Sequence, residues 1–271
     1  MGRDDPESVA VVVETMEAEG VMFVKGKAAR VTPGALSSLT VTLEDGQEVA
    51  GTHLLIAVGR KARVEGLGLG RIGVETGSNG ILVDARRRTN RRHIYAIGDC
   101  RDGPRLTHVS GYEGSNVALE ITLGLPTKVD WSALPWCTYT DPEIAQIGLT
   151  EAQAREKFGE KMVVVREGFD HNERAIAEGD TRGHIKVMMN GKKVVGASIV
   201  GKNAGELLLP FTQLITGKAS TFALGSAIVA YPTRSEITKA AAFSAWEGTV
   251  FGKVPTGYAK TRAWFRRMRP F

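Results

Sequence analysis

Apolar residues recur at helical spacing near the start of the chain, at Val9, Val12, Val13 and Met16. Asp5-Pro6 stands just before them, a capping residue followed by the residue best suited to a first helical position. Gly20 follows as a stop. The pattern then changes to alternation. Val21–Val24, Ala28–Val31, Leu39–Leu43 and Val49–Thr52 read as strands, with Glu44-Asp45-Gly46 as a hairpin turn. A more continuously apolar run, Leu54–Val58, predicts a buried strand. Ile81–Asp84 and Ile94–Ile97 are shorter strand candidates, and a helical stretch ends near Leu123.

Pro126 to Asp130 reads as a linker, and a different rhythm begins after it. Trp136–Tyr139, Ile144–Gly148 and Met162–Phe169 predict strands. Thr150-Glu151-Ala152-Gln153 is a capping box that opens a helix to Phe158. His184–Met189 and Lys193–Val200, joined through Asn190-Gly191, predict a hairpin. Helices are expected over Asn203–Thr216, Phe222–Val229 and Glu236–Glu247. Strands packed under helices indicate an α+β domain in this half.

The length of 271 residues allows two compact domains, and 42% apolar with 24% charged residues is ordinary globular composition. No apolar run is long enough to span a bilayer, and the acidic start lacks a signal-peptide core. Cys100 and Cys137 are too far apart in sequence for a disulfide framework or a metal site, so both read as packing residues in a reducing cytoplasm. The net charge of +5 is concentrated in Arg86-Arg87-Arg88, Arg91-Arg92 and the tail from Lys260 to Arg269. No base-reading pattern accompanies it, so nucleic acid is not expected as a partner. In the tail, Trp264, Phe265, Met268 and Phe271 interleave with Arg262, Arg266, Arg267 and Arg269. A solvated, frayed terminus is the expectation, and a basic amphipathic helix on a membrane surface is the alternative.

Two glycine motifs differ in value. Gly68-Leu69-Gly70-Arg71-Ile72-Gly73 matches the dinucleotide fingerprint letter for letter, but turn residues and a strand follow it, not a helix, so a glycine-rich connection is expected. Gly98-Asp99, after the apolar run Ile94–Ile97, is more informative. A carboxylate there can accept hydrogen bonds from a sugar or ribityl hydroxyl, and the glycine permits close approach to the backbone.

The segment Thr89–Asp99 resembles the second FAD-binding motif of the class I pyridine nucleotide-disulfide oxidoreductases, a family that includes dihydrolipoamide dehydrogenase and mercuric reductase. Two further segments are similar in the same order. Leu54–Arg60 resembles the crossing from the nicotinamide domain back to the flavin domain, and Tyr231-Pro232-Thr233-Arg234-Ser235-Glu236 resembles the signature of the dimerisation domain. The resemblance covers the second half of a family member. The family's N-terminal Gly-rich loop and paired redox cysteines have no counterpart among these residues.

The resemblance implies an α/β plus α+β fold: incomplete FAD/NAD(P)-binding Rossmann-like domains followed by an α+β dimerisation domain. Its segments would be a nicotinamide-domain remnant at 1–58, a flavin-domain segment at 59–130, a dimerisation domain at 131–250 and a basic tail at 251–271. It implies FAD and NAD(P)H as cofactors, with hydride passing from NAD(P)H to FAD and on to a thiol, disulfide or metal-type acceptor. Gly98 and Asp99 would meet the ribityl–phosphate region, Thr107 and His108 the flavin through backbone atoms, and Gly59 and Arg60 the nicotinamide cofactor. Lys61-Ala62-Arg63 departs from the proline and asparagine usual after that arginine.

Tyr231 and Glu236 occupy the positions of the family's catalytic His-Glu pair, facing a partner subunit in a homodimer. A phenol titrating near 10 is a poor proton shuttle at neutral pH, which argues against ordinary dithiol exchange. The competing reading is a non-catalytic dimerisation module, pairing through the apolar helix at Leu207–Ile215 or docking onto a separately encoded N-terminal half.

Overall fold

The computed structural model describes residues 1–35, 38–250 and 253–267. Two compact units result: Met1–Val21 together with Asp130–Phe271, and Met22–Val129. The first stretch of chain therefore packs with the C-terminal half.

The larger unit is built on an antiparallel sheet in the order β6-β7-β10-β9-β8, formed by Pro135–Thr138 (β6), Glu143–Gly148 (β7), Lys193–Gly201 (β10), His184–Asn190 (β9) and Met162–Gly168 (β8). Helices cover both faces, which is why β9 and β10 are buried at nearly every position rather than alternately. On one face Ala145, Ile147, Ile185, Val187, Ala197 and Ile199 form the main core with Phe211, Leu214, Ile237 and Ala241. The last four come from α5 (Leu209–Ile215) and α7 (Glu236–Val250).

The opposite face carries α1 (Pro6–Ala18) and α3 (Glu151–Phe158). Val12 of α1 packs against Ile144 and Val200, and Ala154 of α3 packs against Met162 and Met188. Both helices start as their sequences predict. The Asp5 side chain accepts from the Glu7 amide, with Pro6 at the first position, and Thr150 and Gln153 complete the capping box.

Some expected elements are altered. Asn203–Thr216 is not one helix but a 3-10 turn, Gly205–Leu208, followed by α5. Pro210 has no N–H for the preceding turn, so the α-helix begins beside it. The apolar residues Leu207, Leu208, Phe211 and Leu214 face the unit's own sheet, which removes them as a surface for pairing copies. The expected helix at Phe222–Val229 shortens to α6 (Thr221–Gly225), and α4 (Glu173–Glu178) is a further short helix. The tail is not frayed over 253–267: Lys253–Arg267 forms α8. Met268, Arg269 and Phe271 lie outside the described residues.

The smaller unit has a three-stranded antiparallel sheet of Ala28–Pro33 (β1), Leu39–Leu43 (β2) and Glu48–Gly51 (β3), with Gly46 at positive φ in the β2–β3 turn. Val21–Val24 and Leu54–Val58 form no strand and join no ladder among the described residues. Met22 and Leu55 are exposed. A parallel-sheet strand needs neighbours on both sides to satisfy its backbone, and periodicity cannot supply them. Ile81–Asp84 contributes Ile81 to a two-residue ladder, Thr76–Gly77 (β4) with Gly80–Ile81 (β5), and to a single parallel bridge with Arg101. Ile94–Ile97 is extended and is held by bonds to residues 87–89, including Ala96 N–H to Arg87 O at 3.0 Å. Leu69–Ile72 is a 3-10 turn between two left-handed glycines, so no helix follows the fingerprint-like glycines. The long helix α2 (Thr107–Leu123) ends at Gly124 in the left-handed conformation.

Candidate functional site

Gly98-Asp99-Cys100 makes a single 3-10 turn after the extended run, and α2 begins shortly beyond it. Gly98 has φ +67°, and a Cβ there would lie 2.5 Å from Ser110 Oγ. The neighbour that approaches this glycine is thus the first turn of α2, which seats the helix N-terminus beside Asp99.

The turn is fixed from beneath by Glu113, a fully buried carboxylate on α2. It accepts from the Gly98 amide at 2.7 Å, from Arg101 Nε at 3.0 Å and from an Arg87 guanidinium nitrogen at 3.2 Å. One turn pair further along, Glu120 accepts from Arg86 Nε at 2.7 Å, from Arg88, and from the Tyr95 hydroxyl at 3.1 Å. These cations hold the Glu120 carboxyl below the usual carboxylate range, Arg86 first. The Arg86-Arg87-Arg88 run, which looks like surface charge in the sequence, is therefore spent on internal pairing. A signal existed: Val109, Glu113, Val117 and Glu120 share one helical stripe, and an acid within an apolar stripe needs a buried partner.

Asp99 itself is half exposed and pairs with Arg60 at 3.1 Å. Arg60 also donates to the Arg105 carbonyl, and Arg105 returns a bond to the Arg60 carbonyl at 3.0 Å and reaches Asn79 O at 2.7 Å. The two segments singled out for different cofactors, Gly59-Arg60 and Gly98-Asp99, thus meet at one place. They share a shallow cleft lined by Arg60, Lys61, Arg63, Asp99, Cys100 and Arg105. Four cations against one carboxylate make it an anion-favouring surface. Asp99 retains acceptor capacity for a hydroxyl. Thr107 and His108 occupy the first turn of α2, where backbone N–H groups have no intrahelical acceptor and the dipole is positive. This donor and acceptor set fits the ribityl and phosphate portions of a dinucleotide.

Tyr231 and Glu236 lie on the other unit. Tyr231 is largely exposed. Glu173 first, and Glu236 to a lesser degree, push its phenol above its ordinary pKa, so that it stays protonated at neutral pH. Glu236 Oε2 accepts from the Thr233 amide at 3.2 Å, so this carboxylate closes the turn leading into α7. It also lines a cleft with Glu167, His171 and Glu173. The cysteines are not poised as nucleophiles. Cys137 is pushed up to about 11 by burial and by Glu143 beside it, and Cys100 Sγ donates to the Ile97 carbonyl at 3.3 Å. No group of metal-binding side chains is found among the described residues. No helix among them is long and apolar enough to cross a membrane.

Sequence reasoning missed a second polar centre, beneath α1. Trp136, Gln146, Ser198, Lys186 and Arg166 stand in register across all five strands of the large sheet, on one face. The beginning of α1 matches that row. Asp4 accepts from Trp136 Nε1 at 2.8 Å, Ser8 meets Ser198 at 3.0 Å, and Asp5 and Glu7 reach Lys186 Nζ at 2.9 and 3.1 Å. Glu7 also takes both Arg166 donors, and Glu151 of α3 reaches Lys186 at 2.7 Å.

Residues 2–114 match the family model described as pyridine nucleotide-disulphide oxidoreductase, and residues 134–242 match the dimerisation domain of the same family. Among curated relatives, a dihydrolipoyl dehydrogenase of Rhizobium etli is 35% identical over 91% of this chain and 52% of its own length. A mercuric reductase of Lysinibacillus sphaericus is 34% identical over 89% of this chain and 45% of its own length. The crystal structure of LpdA from Mycobacterium tuberculosis superposes with a TM-score of 0.81 at 28% identity, covering 89% of this chain and 53% of that one. The chain spans about half the length of the curated relatives it matches.

Proposed function

The chain belongs to the pyridine nucleotide-disulphide oxidoreductase family, and from that premise we propose that it supplies the second-half machinery of an FAD-dependent NAD(P)H oxidoreductase acting on a thiol, disulfide or metal-type acceptor. The observation that carries this reading is the junction of Arg60 and Asp99, 3.1 Å apart, next to the start of α2.

A bound flavin would supply the redox chemistry, taking a hydride from the nicotinamide and passing electrons onward. The chain's own residues would bind and orient. Asp99 would accept from a ribityl hydroxyl, and Gly98 would keep α2 close enough for its N-terminus to face the ring. Thr107 and His108 would offer backbone N–H groups where electron density gathers. Arg60, with Gly59 before it, would hold phosphate oxygens of the nicotinamide cofactor, and the Asp99 carboxylate keeps the guanidinium oriented. The buried Glu113 would hold this surface in shape without touching a ligand. The domain boundaries at 58, 130 and 250 belong to the same proposal, as does a homodimer in which Tyr231 and Glu236 face the partner subunit. With its phenol raised, Tyr231 would serve as a hydrogen-bond donor to an acceptor and not as a base.

A second reading keeps a specific observation on its side. The larger unit has its own core on both faces of the sheet, so it is equipped to persist as a dimerising module. One experiment separates the two. The purified chain is mixed with excess FAD, passed through gel filtration, and its visible spectrum recorded. A retained flavin band that NAD(P)H bleaches supports the oxidoreductase reading. A flavin-free, dimer-sized peak supports the module.

A further inference from the structure

The formal charge of +5 is distributed unevenly. From Thr249 onward the chain holds six basic residues, Lys253, Lys260, Arg262, Arg266, Arg267 and Arg269, and no acid. With those six taken from the 35, the preceding residues carry 29 basic side chains against 30 acidic ones. Arg86 and Arg88 are internally paired with Glu120, and Arg87 with Glu113. The net positive charge of the protein is therefore that of its C-terminal segment.

Within this segment Lys253–Arg267 forms α8, and its geometry sorts the residues by chemistry. At 3.6 residues per turn Tyr258, Thr261 and Phe265 share one face, and Trp264 sits at its edge. Arg262 and Arg266 flank that face on one side, Lys260 and Arg267 on the other. Tyr258, Trp264 and Phe265 are 67%, 53% and 58% exposed, although each ring is large enough to be a core residue. Trp264 and Phe265 meet edge to face with centroids 5.0 Å apart, forming one continuous aromatic surface.

We propose that α8 lies on an anionic phospholipid surface, with its aromatic stripe entering the headgroup boundary and its flanking cations meeting lipid phosphates. Charge complementarity selects this occupant. A second α8 would bring four cations against four. A nucleic-acid duplex, whose bases are already stacked on one another, would satisfy the cations but leave the aromatic stripe in water. A bilayer interface satisfies both at once, because amphipathic aromatic rings settle at the headgroup level and low overall hydrophobicity keeps such a helix in the plane. The inference is independent of cofactor binding, since no residue of α8 contributes to the Arg60–Asp99 cleft.

The test is flotation of the full chain with phosphatidylcholine vesicles, with and without phosphatidylglycerol, at low and high salt. Binding is expected only with phosphatidylglycerol, and salt should release it. Each Lys or Arg near such a surface strengthens binding about fivefold, so Arg262→Gln with Arg266→Gln should weaken it about 25-fold. Trp264→Ala with Phe265→Ala should also weaken it, with the dimer-sized elution unchanged. A chain ending at residue 252, which leaves the described cores intact, should not float. Equal binding to uncharged vesicles, flotation of the shortened chain, or loss of self-association in the aromatic double variant would each overturn the proposal. The last result would assign the stripe to a second copy.

Discussion

Lys186→Met tests the row of side chains that joins α1 to the large sheet. Lys186 is 2% exposed and has three carboxylates within 3.1 Å: Asp5, Glu7 and Glu151. The substitution fills the space of the stem but removes the cation. Glu7 and Glu151 keep Arg166, at 2.9 and 3.0 Å. Asp5, fully buried, has no second ion-pair partner among the described residues, and its other oxygen, Oδ2, lacks a hydrogen-bond partner among them. The substitution leaves this carboxylate in a low-dielectric site without its partner, and removing one partner of a buried pair costs roughly 3–5 kcal/mol. Undocking of α1 limits the loss, so the helix should open locally before the sheet does. Amide exchange within Pro6–Ala18 should accelerate by about 100-fold or more, against little change in β9 and β10. Adding Asp5→Asn keeps the helix cap, removes the orphaned charge and should restore most of the protection. A loss below about 1 kcal/mol in Lys186→Met, or a double variant no better than the single one, would refute the argument that the ion pair holds α1.

Three further outcomes are expected. Glu113→Gln leaves the Arg87 and Arg101 guanidiniums facing a neutral amide and should destabilise the Gly98–Arg101 turn by about 2–4 kcal/mol, read as faster exchange of that turn and of α2; unchanged exchange would show that the carboxylate does not organise the turn. Gly98→Ala should cost about 1–2 kcal/mol for its positive φ, plus a clash with Ser110 Oγ. Adding Ser110→Ala should relieve only the clash, so denaturant midpoints of the single and double variants should differ while neither reaches that of the parent. The cations around it, Arg166 first, hold Glu7 down to about 2 from 4.5, so its stabilisation is complete above pH 4.5 and fades as pH falls toward 2. Urea midpoints of the parent and Glu7→Gln should therefore differ at pH 7, begin to close below pH 4.5 and converge only as pH approaches 2, and a gap that stays constant across that range would contradict the assignment.

The local sequence determined those elements whose information is local. Asp5-Pro6 and Thr150–Gln153 start their helices because capping depends only on a few adjacent residues. The hairpin of β9 and β10 is legible because its turn and its apolar runs are contiguous, and the failed fingerprint at Gly68–Gly73 is legible because the residues after it cannot form a helix. The family is legible too, in three ordered motifs, since each is a short run of particular residue types. Where bonding partners are distant in sequence, only the tertiary structure decided. Val21–Val24 and Leu54–Val58 carry the apolar pattern of strands but join no ladder among the described residues. Lys186 looks like one polar residue in an apolar strand, and its role appears only when five strands align Trp136, Gln146, Ser198 and Arg166 beside it and α1 arrives from some 180 residues away to meet them. The same holds for Arg86-Arg87-Arg88, whose charge the sequence assigns to the surface and the fold assigns to Glu113 and Glu120. Periodicity records which way a side chain points; what it meets there depends on long-range packing, and the energy of a buried charge depends on that meeting.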